Sequence, residues 1–167
     1  QNLKDPFQYM RFAREEDSKE IYEHYQKNRK FFPNITIGHI SNRIKKRECI
    51  YTEGVVIIFR IHQKTVQIGD NTQSKMSDCV LNQIVTSFLN GSASRVLNRF
   101  FDYIGFLPHA SDVIHLSVRS DNDHAKKFFE RNEMELVDKT SWGKGKIEGD
   151  VYRKMVKGDL DMFFTPP

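Results

Sequence analysis

A chain of 167 residues is long enough for one apolar core, and 38% hydrophobic residues with 13 phenylalanines supply it, which excludes a disordered chain. No run approaches the ~18 apolar residues of a membrane-spanning helix, and residues 1–6 lack a signal-peptide core, so a soluble, cytoplasmic protein without a membrane partner is expected. The net charge of +4 suits an anionic ligand, nucleotide or nucleic acid alike, and selects neither.

Residues 9–13 form the first strand candidate. Asp17 then reads as an N-cap, with Glu20 completing a capping box, for a helix over residues 18–27. Phe31, Phe32 and Pro33 break it. Ile37, Ile40 and Ile44 set a second helix whose C-terminal end carries Lys45, Lys46 and Arg47, where cations are favoured by the helix dipole. The β-rich runs 49–52 and 55–61 flank Glu53-Gly54 and predict a hairpin. Residues 65–68 extend that sheet or form an insertion, and 70–77 read as a polar loop.

A strand over 79–86 runs into Asn90-Gly91-Ser92-Ala93-Ser94. The helix after it shows Val96, Leu97, Phe100, Phe101 and Ile104 on one face and Gly105 as a C-cap signal. A strand over 113–118 leads to Asp121, Asn122 and Asp123, which cap a helix bearing Ala125, Phe128 and Phe129. Segments 135–139 and 151–156 form a terminal strand pair joined by the Gly-rich stretch 142–149. Repeats and linkers are absent, so a single domain over 1–167 is expected, an α/β fold built on a mixed sheet with helices on both faces. Cys49 and Cys79 sit in apolar, strand-like contexts and predict two buried free thiols rather than one disulfide.

The stretch 84–97 is the most informative for chemistry. A strand feeds small residues that open a helix, and the first amides of a helix lack intrahelical acceptors and carry the positive end of its dipole. Asn90, Gly91, Ser92, Ala93 and Ser94 therefore read either as a phosphate-binding loop, with Arg95 adding charge, or as a capped tight turn. The six histidines show no metal-ligand spacing, so no metal is expected. Gly143-Lys144-Gly145-Lys146 lacks the flanks of a phosphate-binding P-loop and reads as a strand connection. The basic runs 27–30 and 43–47 read as solvated helix ends rather than a nucleic-acid patch, and 160–164 as packed edge or a partner contact.

Val118, Arg119, Asn122, Ala125, Phe128, Glu130 and Arg131 resemble, in register, the signature of the GNAT acetyltransferases, in which Val-Arg-x-x-Asn precedes a helix with Ala, an apolar residue, Tyr and Glu. Gly91 and Ala93 match the last two small positions of that family's pyrophosphate loop, and residues 11–17 look like its first strand and cap. The resemblance spans nearly the whole chain, with a loose fit over 49–78. It implies a mostly antiparallel central sheet with a splayed parallel strand pair, whose strands end near Thr86 and Val118 and hold the pantetheine arm of acetyl-CoA. It also implies cosubstrate contacts from Val85, Thr86, 90–95, Asn122, Ala125, Phe128 and Phe129, and transfer of an acetyl group to an amine that attacks the thioester directly. Nucleic acid stays open as the acceptor, as in phage Mom-type modification proteins, and so does a non-catalytic acyl-CoA-binding module. The departures are Phe129 at the usual Tyr, Glu133-Met134 at the usual Gly-Phe, and Phe88 at the Gln or Arg that opens the loop. His62, His115 and Ser117 are the candidates for assisting proton transfer.

Overall fold

A computed structural model of the chain describes residues 10–87, 91–110 and 112–156. After a 3-10 turn at Glu15–Asp17 come helices α1 (Ser18–Lys27) and α2 (Ile37–Lys45). The strands β1 (Cys49–Thr52), β2 (Val55–Ile61), β3 (Val66–Gln67), β4 (Gln73–Ser74) and β5 (Cys79–Thr86) follow. Helix α3 (Ser92–Phe106), strand β6 (Val113–Arg119), helix α4 (Asp123–Arg131) and strands β7 (Glu135–Trp142) and β8 (Ile147–Met155) complete the order. Six strands form a sheet in the order β1-β2-β5-β6-β8-β7, while β3 and β4 pair apart from it. All the ladders described are antiparallel except that of β5 with β6. That parallel ladder joins Cys79 to Ile114 and Val80 to His115, at the starts of both strands, and covers no further pair.

The fold divides into two compact units. One gathers the described residues up to Phe59 with Asn82–Phe100; the other gathers Arg60–Leu81 with those from Phe101 onward. In the first, alternation along β2 serves two layers. Val56 and Ile58 join Cys49, Tyr51 and Val85 in a core with Ile21, Tyr25, Ile40 and Ile44 of α1 and α2. Phe59, out of phase with that pair, meets Phe100 of α3 edge to face at 5.1 Å. Helices thus cover both faces of these strands, as expected. The β1–β2 hairpin turns through Glu53 and Gly54 at φ 53° and 76°, the paired left-handed conformations that close a two-residue turn.

In the second unit Tyr152 on β8 lies opposite Leu116 on β6, and the Phe129 ring of α4 sits 6.0 Å from the Tyr152 ring. Lys154, two residues on and therefore on the same face, lies over the Phe101 ring of α3 at 5.4 Å. Gly149 is required where β7 and β8 pair, because a Cβ there would lie 2.5 Å from the Trp142 ring. No described helix is long and apolar enough to cross a membrane. Both cysteines are buried and free, and burial raises their thiol pKa values, that of Cys49 to about 12.

Several expectations are corrected. Of the first strand expected over 9–13, Tyr9 lies outside the described residues and the others make a bridge from Phe12 to Ile50, flanked by the bonds Tyr51 N–H to Arg11 O at 2.9 Å and Ala13 N–H to Cys49 O at 3.0 Å. Asp17 makes no side-chain cap to α1; its carboxylate turns back to Arg14 N and Arg11 Nη1, each at 2.8 Å. Arg43 is not a solvated helix end but a buried side chain, bound to Glu48 at 2.6 Å and Asn82 at 2.7 Å. Helix α3 passes through Gly105 because Val96, Leu97, Phe100, Phe101 and Ile104 stay buried along one face. The expected loop over 70–77 contains β4, held by the Asp138 carboxylate, which accepts from Asn71 N–H and Thr72 O–H at 2.7 Å each. Strands β7 and β8 run to Trp142 and from Ile147, leaving a four-residue turn. Residues 160–164 lie outside the described residues.

Candidate functional site

The small-residue stretch of the sequence becomes the start of α3. Gly91 has φ +83°, a left-handed backbone that glycine adopts without strain, and a Cβ there would meet nothing within 4 Å. Its carbonyl receives Arg95 N–H at 3.4 Å, the first bond of the helix. Ser92 is buried, Ala93 and Ser94 half-buried, and Arg95 exposed. Asn90 and Phe88 lie outside the described residues. Arg95 and Arg99 both pair with Glu53 of the hairpin turn at 2.6 Å, and Arg95 Nη2 also donates to Ser92 Oγ at 3.2 Å. These guanidiniums, Arg95 first, hold the Glu53 carboxyl below its ordinary pKa. The helix start therefore combines an open glycine with a carboxylate-tethered arginine.

Upstream, Val85 is buried in the α1–α2 core and Thr86 is half-buried. Asn28, the residue after α1, donates to His24 O at 2.8 Å and to Thr86 O at 3.5 Å. Ser87, half-buried directly after β5, lies 3.0 Å from His24 Nδ1, and His24 Nε2 lies 3.1 Å from Tyr51 Oη. His24 is only 6% exposed, and burial, with Lys27 adding to it, lowers its pKa. Tyr51 is raised to about 12, by burial first and then by the nearby charge of Glu20. Unlike Val85 and Thr86, the residues His24, Asn28, Tyr51 and Ser87 do not stand out in the sequence. The available signal was His24 in the buried stripe with Ile21 and Tyr25, where a polar ring needs partners.

The second unit holds the β6–α4 segment. Asn122 caps α4, its carboxamide oxygen accepting from Ala125 N at 3.2 Å. Arg119 pairs with Asp121 at 3.0 Å. Ala125 and Phe128 are half-buried, whereas Phe129 is 5% exposed and packed between the rings of Phe128 and Tyr152. Beside this turn Asp150, fully buried on β8, receives Lys139 at 2.7 Å, Lys126 at 2.8 Å and Ser120 Oγ at 3.0 Å. Burial opposes its ionisation, but Lys126, Lys139 and Ser120 outweigh that and lower it to about 2.

The three expected proton-transfer candidates fall in this second unit. His115 is 3% exposed, its Nδ1 is without a hydrogen-bond partner, and burial lowers its pKa. Ser117, two residues on along β6, donates to Ile68 O at 3.4 Å. His62 follows β2, and its backbone exchanges bonds with Asp78 and Ser77 at 3.2 and 2.8 Å.

No family model matches the sequence, and no curated protein sequence matches it. Solved structures do. A GNAT-family acetyltransferase from Streptococcus pneumoniae matches with a TM-score of 0.63 at 13% identity, over 88% of this chain and 98% of that one. Ard1 from Thermoplasma volcanium gives 0.67 at 13% identity, over 88% and 96%. Naa50 from Arabidopsis thaliana, in complex with the bisubstrate analogue CoA-Ac-MVNAL, gives 0.61 at 15% identity, over 87% and 96%. At such identities the likeness is one of architecture, and this architecture, with its mostly antiparallel sheet and the parallel ladder of β5 with β6, is the GNAT fold.

Proposed function

We propose that this chain is an acyl-CoA-dependent N-acyltransferase that passes acetyl from acetyl-CoA to an amine by direct attack on the thioester. The observation that carries this reading is the start of α3. An open, left-handed Gly91 precedes the small residues Ser92, Ala93 and Ser94 at the dipole-positive end of a 15-residue helix. That arrangement suits a pyrophosphate, and it occurs in a fold whose solved examples include acetyltransferases, one of them holding a CoA-acetyl bisubstrate analogue. Arg95 supplies positive charge once released from Glu53.

The chemistry asks little beyond positioning and a proton acceptor. A CoA thiol, with a pKa near ~8.5, leaves readily as the thiolate, so a phenol at the position of Phe129 is an aid rather than a requirement. An acceptor of lysine type, with a pKa of ~10.4, is almost wholly protonated at pH 7 and needs a base. Acetyl-CoA at a hundred times its Kd is expected to stabilise the protein by ~2.7 kcal/mol, read as a rise in Tm. With a panel of primary amines it should release free CoA thiol and form the acetylated amine. No change in Tm would contradict the reading; binding without transfer to any amine would favour an acyl-CoA-binding module.

A further inference from the structure

We propose that the tip of the β7–β8 hairpin binds single-stranded nucleic acid, with a base stacked on Trp142 and backbone phosphates held by Lys144 and Lys146. The platform is built from the sheet. Ile147 of β8 pairs with Trp142, and Gly149 pairs with Thr140 on one side and with Arg119 of β6 on the other. Alternate residues of a strand share a face, so these five residues present one face of the sheet. The Trp142 ring lies across Gly149, where a Cβ would fall 2.5 Å from its Cη2 and 2.6 Å from its Cζ3. The indole thus rests on the backbone of the sheet, yet Trp142 remains 39% exposed. A ring held flat against a rigid strand, with surface left open to water, is a stacking surface.

The charge beside the ring is positive. The turn Gly143-Lys144-Gly145-Lys146 carries two exposed lysines and no acid, and among the described residues neither lysine pairs with a carboxylate. Arg119 adds a third cation on the ring's face, paired with Asp121 at 3.0 Å. Glu148 lies opposite Ser141 and so falls on the other face. Lys144 stands at φ +61°, where glycine or asparagine would sit with less strain, so turn geometry does not account for a lysine there. Every base has a π-face, and cations at the edge of the ring meet the phosphates that flank a stacked base. In a duplex those faces are covered by neighbouring pairs, so the platform fits a single strand. DNA and RNA share this chemistry.

Trp142 is the chain's single tryptophan, so its fluorescence, excited where tyrosine does not absorb, reports this ring alone. The test titrates the parent at low salt with an oligothymidylate and an oligouridylate of about twelve nucleotides. Saturable quenching by at least one of them is expected, and a preference between the two identifies DNA or RNA as the natural strand. Duplex DNA of equal length should bind at least about tenfold more weakly, and inorganic polyphosphate should leave the emission unchanged. Lys144→Gln with Lys146→Gln should cut affinity about tenfold and flatten the salt dependence, its logarithmic slope falling by about 1.4. Trp142→Ala, followed by the anisotropy of a labelled strand, should lose about ten- to a hundredfold. Absence of quenching by either strand, equal quenching by polyphosphate, a duplex bound as tightly, or an unchanged affinity in the lysine variant would overturn the assignment. Should Trp142→Ala fail to fold, the parent's emission and the lysine variant still decide.

Discussion

Two buried polar clusters, one in each unit, are built to opposite ends. Around Asp150 the charges close on themselves: two lysines and a serine converge on one carboxylate with no solvent exposure, which pins the turn between β6 and α4. Around His24 the groups form a chain that ends on the half-buried Ser87 hydroxyl. A closed cluster contributes its energy to the fold. The His24 chain instead links α1, β1 and the end of β5 through neutral groups. The comparison teaches that burial of a titratable group does not settle its role; where its hydrogen bonds terminate does.

Asp150→Asn gives the largest expected effect on stability. A carboxyl held at about 2 against an ordinary 3.8 contributes about 2 kcal/mol to folding above pH 4. That stability is lost as the pH falls through the folded value, so urea unfolding of parent and variant should differ by this amount at pH 7 and converge between pH 4 and 2. A difference that stays constant over that range would show that shape, not charge, sets the contribution of Asp150. His24→Gln should change unfolding less, because the amide can keep a hydrogen bond to Ser87 or Tyr51. Equal losses in both would erase the contrast between the clusters.

A smaller effect is expected from Glu53→Gln, which releases Arg95 and Arg99 beside the α3 start. Exposed pairs are weak, so stability should barely move, while acetyl-CoA affinity at low salt should rise about two- to fivefold. An unchanged affinity would mean that Arg95 does not reach the cosubstrate.

The parts legible in the sequence are those governed by local rules. Helical spacing and turn chemistry placed α1, α2, the β1–β2 hairpin and β5 at the residues observed, and Asn122 caps α4 as its position required. The small residues after β5 likewise stand at the start of a helix. What escaped depends on contacts far apart in the chain. Ser87 meets His24 across 63 residues, and Asn71 meets Asp138 across 67. Strands of two residues such as β3 and β4 are too short for any periodicity to register. Arg43 read as one more basic residue at a helix end, because the partners that bury it, Glu48 and Asn82, are brought to it only by the fold.

The central claim, that the start of α3 binds acetyl-CoA, is tested most directly by calorimetric titration of the parent and of Gly91→Val. A Cβ at this position meets nothing within 4 Å, so the main effects expected are backbone strain of roughly 1–2 kcal/mol at φ +83° and a branched side chain where a phosphate would approach the amides. The account predicts saturable binding to the parent and at least a tenfold loss of affinity in a variant that still unfolds cooperatively. Equal affinity in the two folded proteins would contradict it.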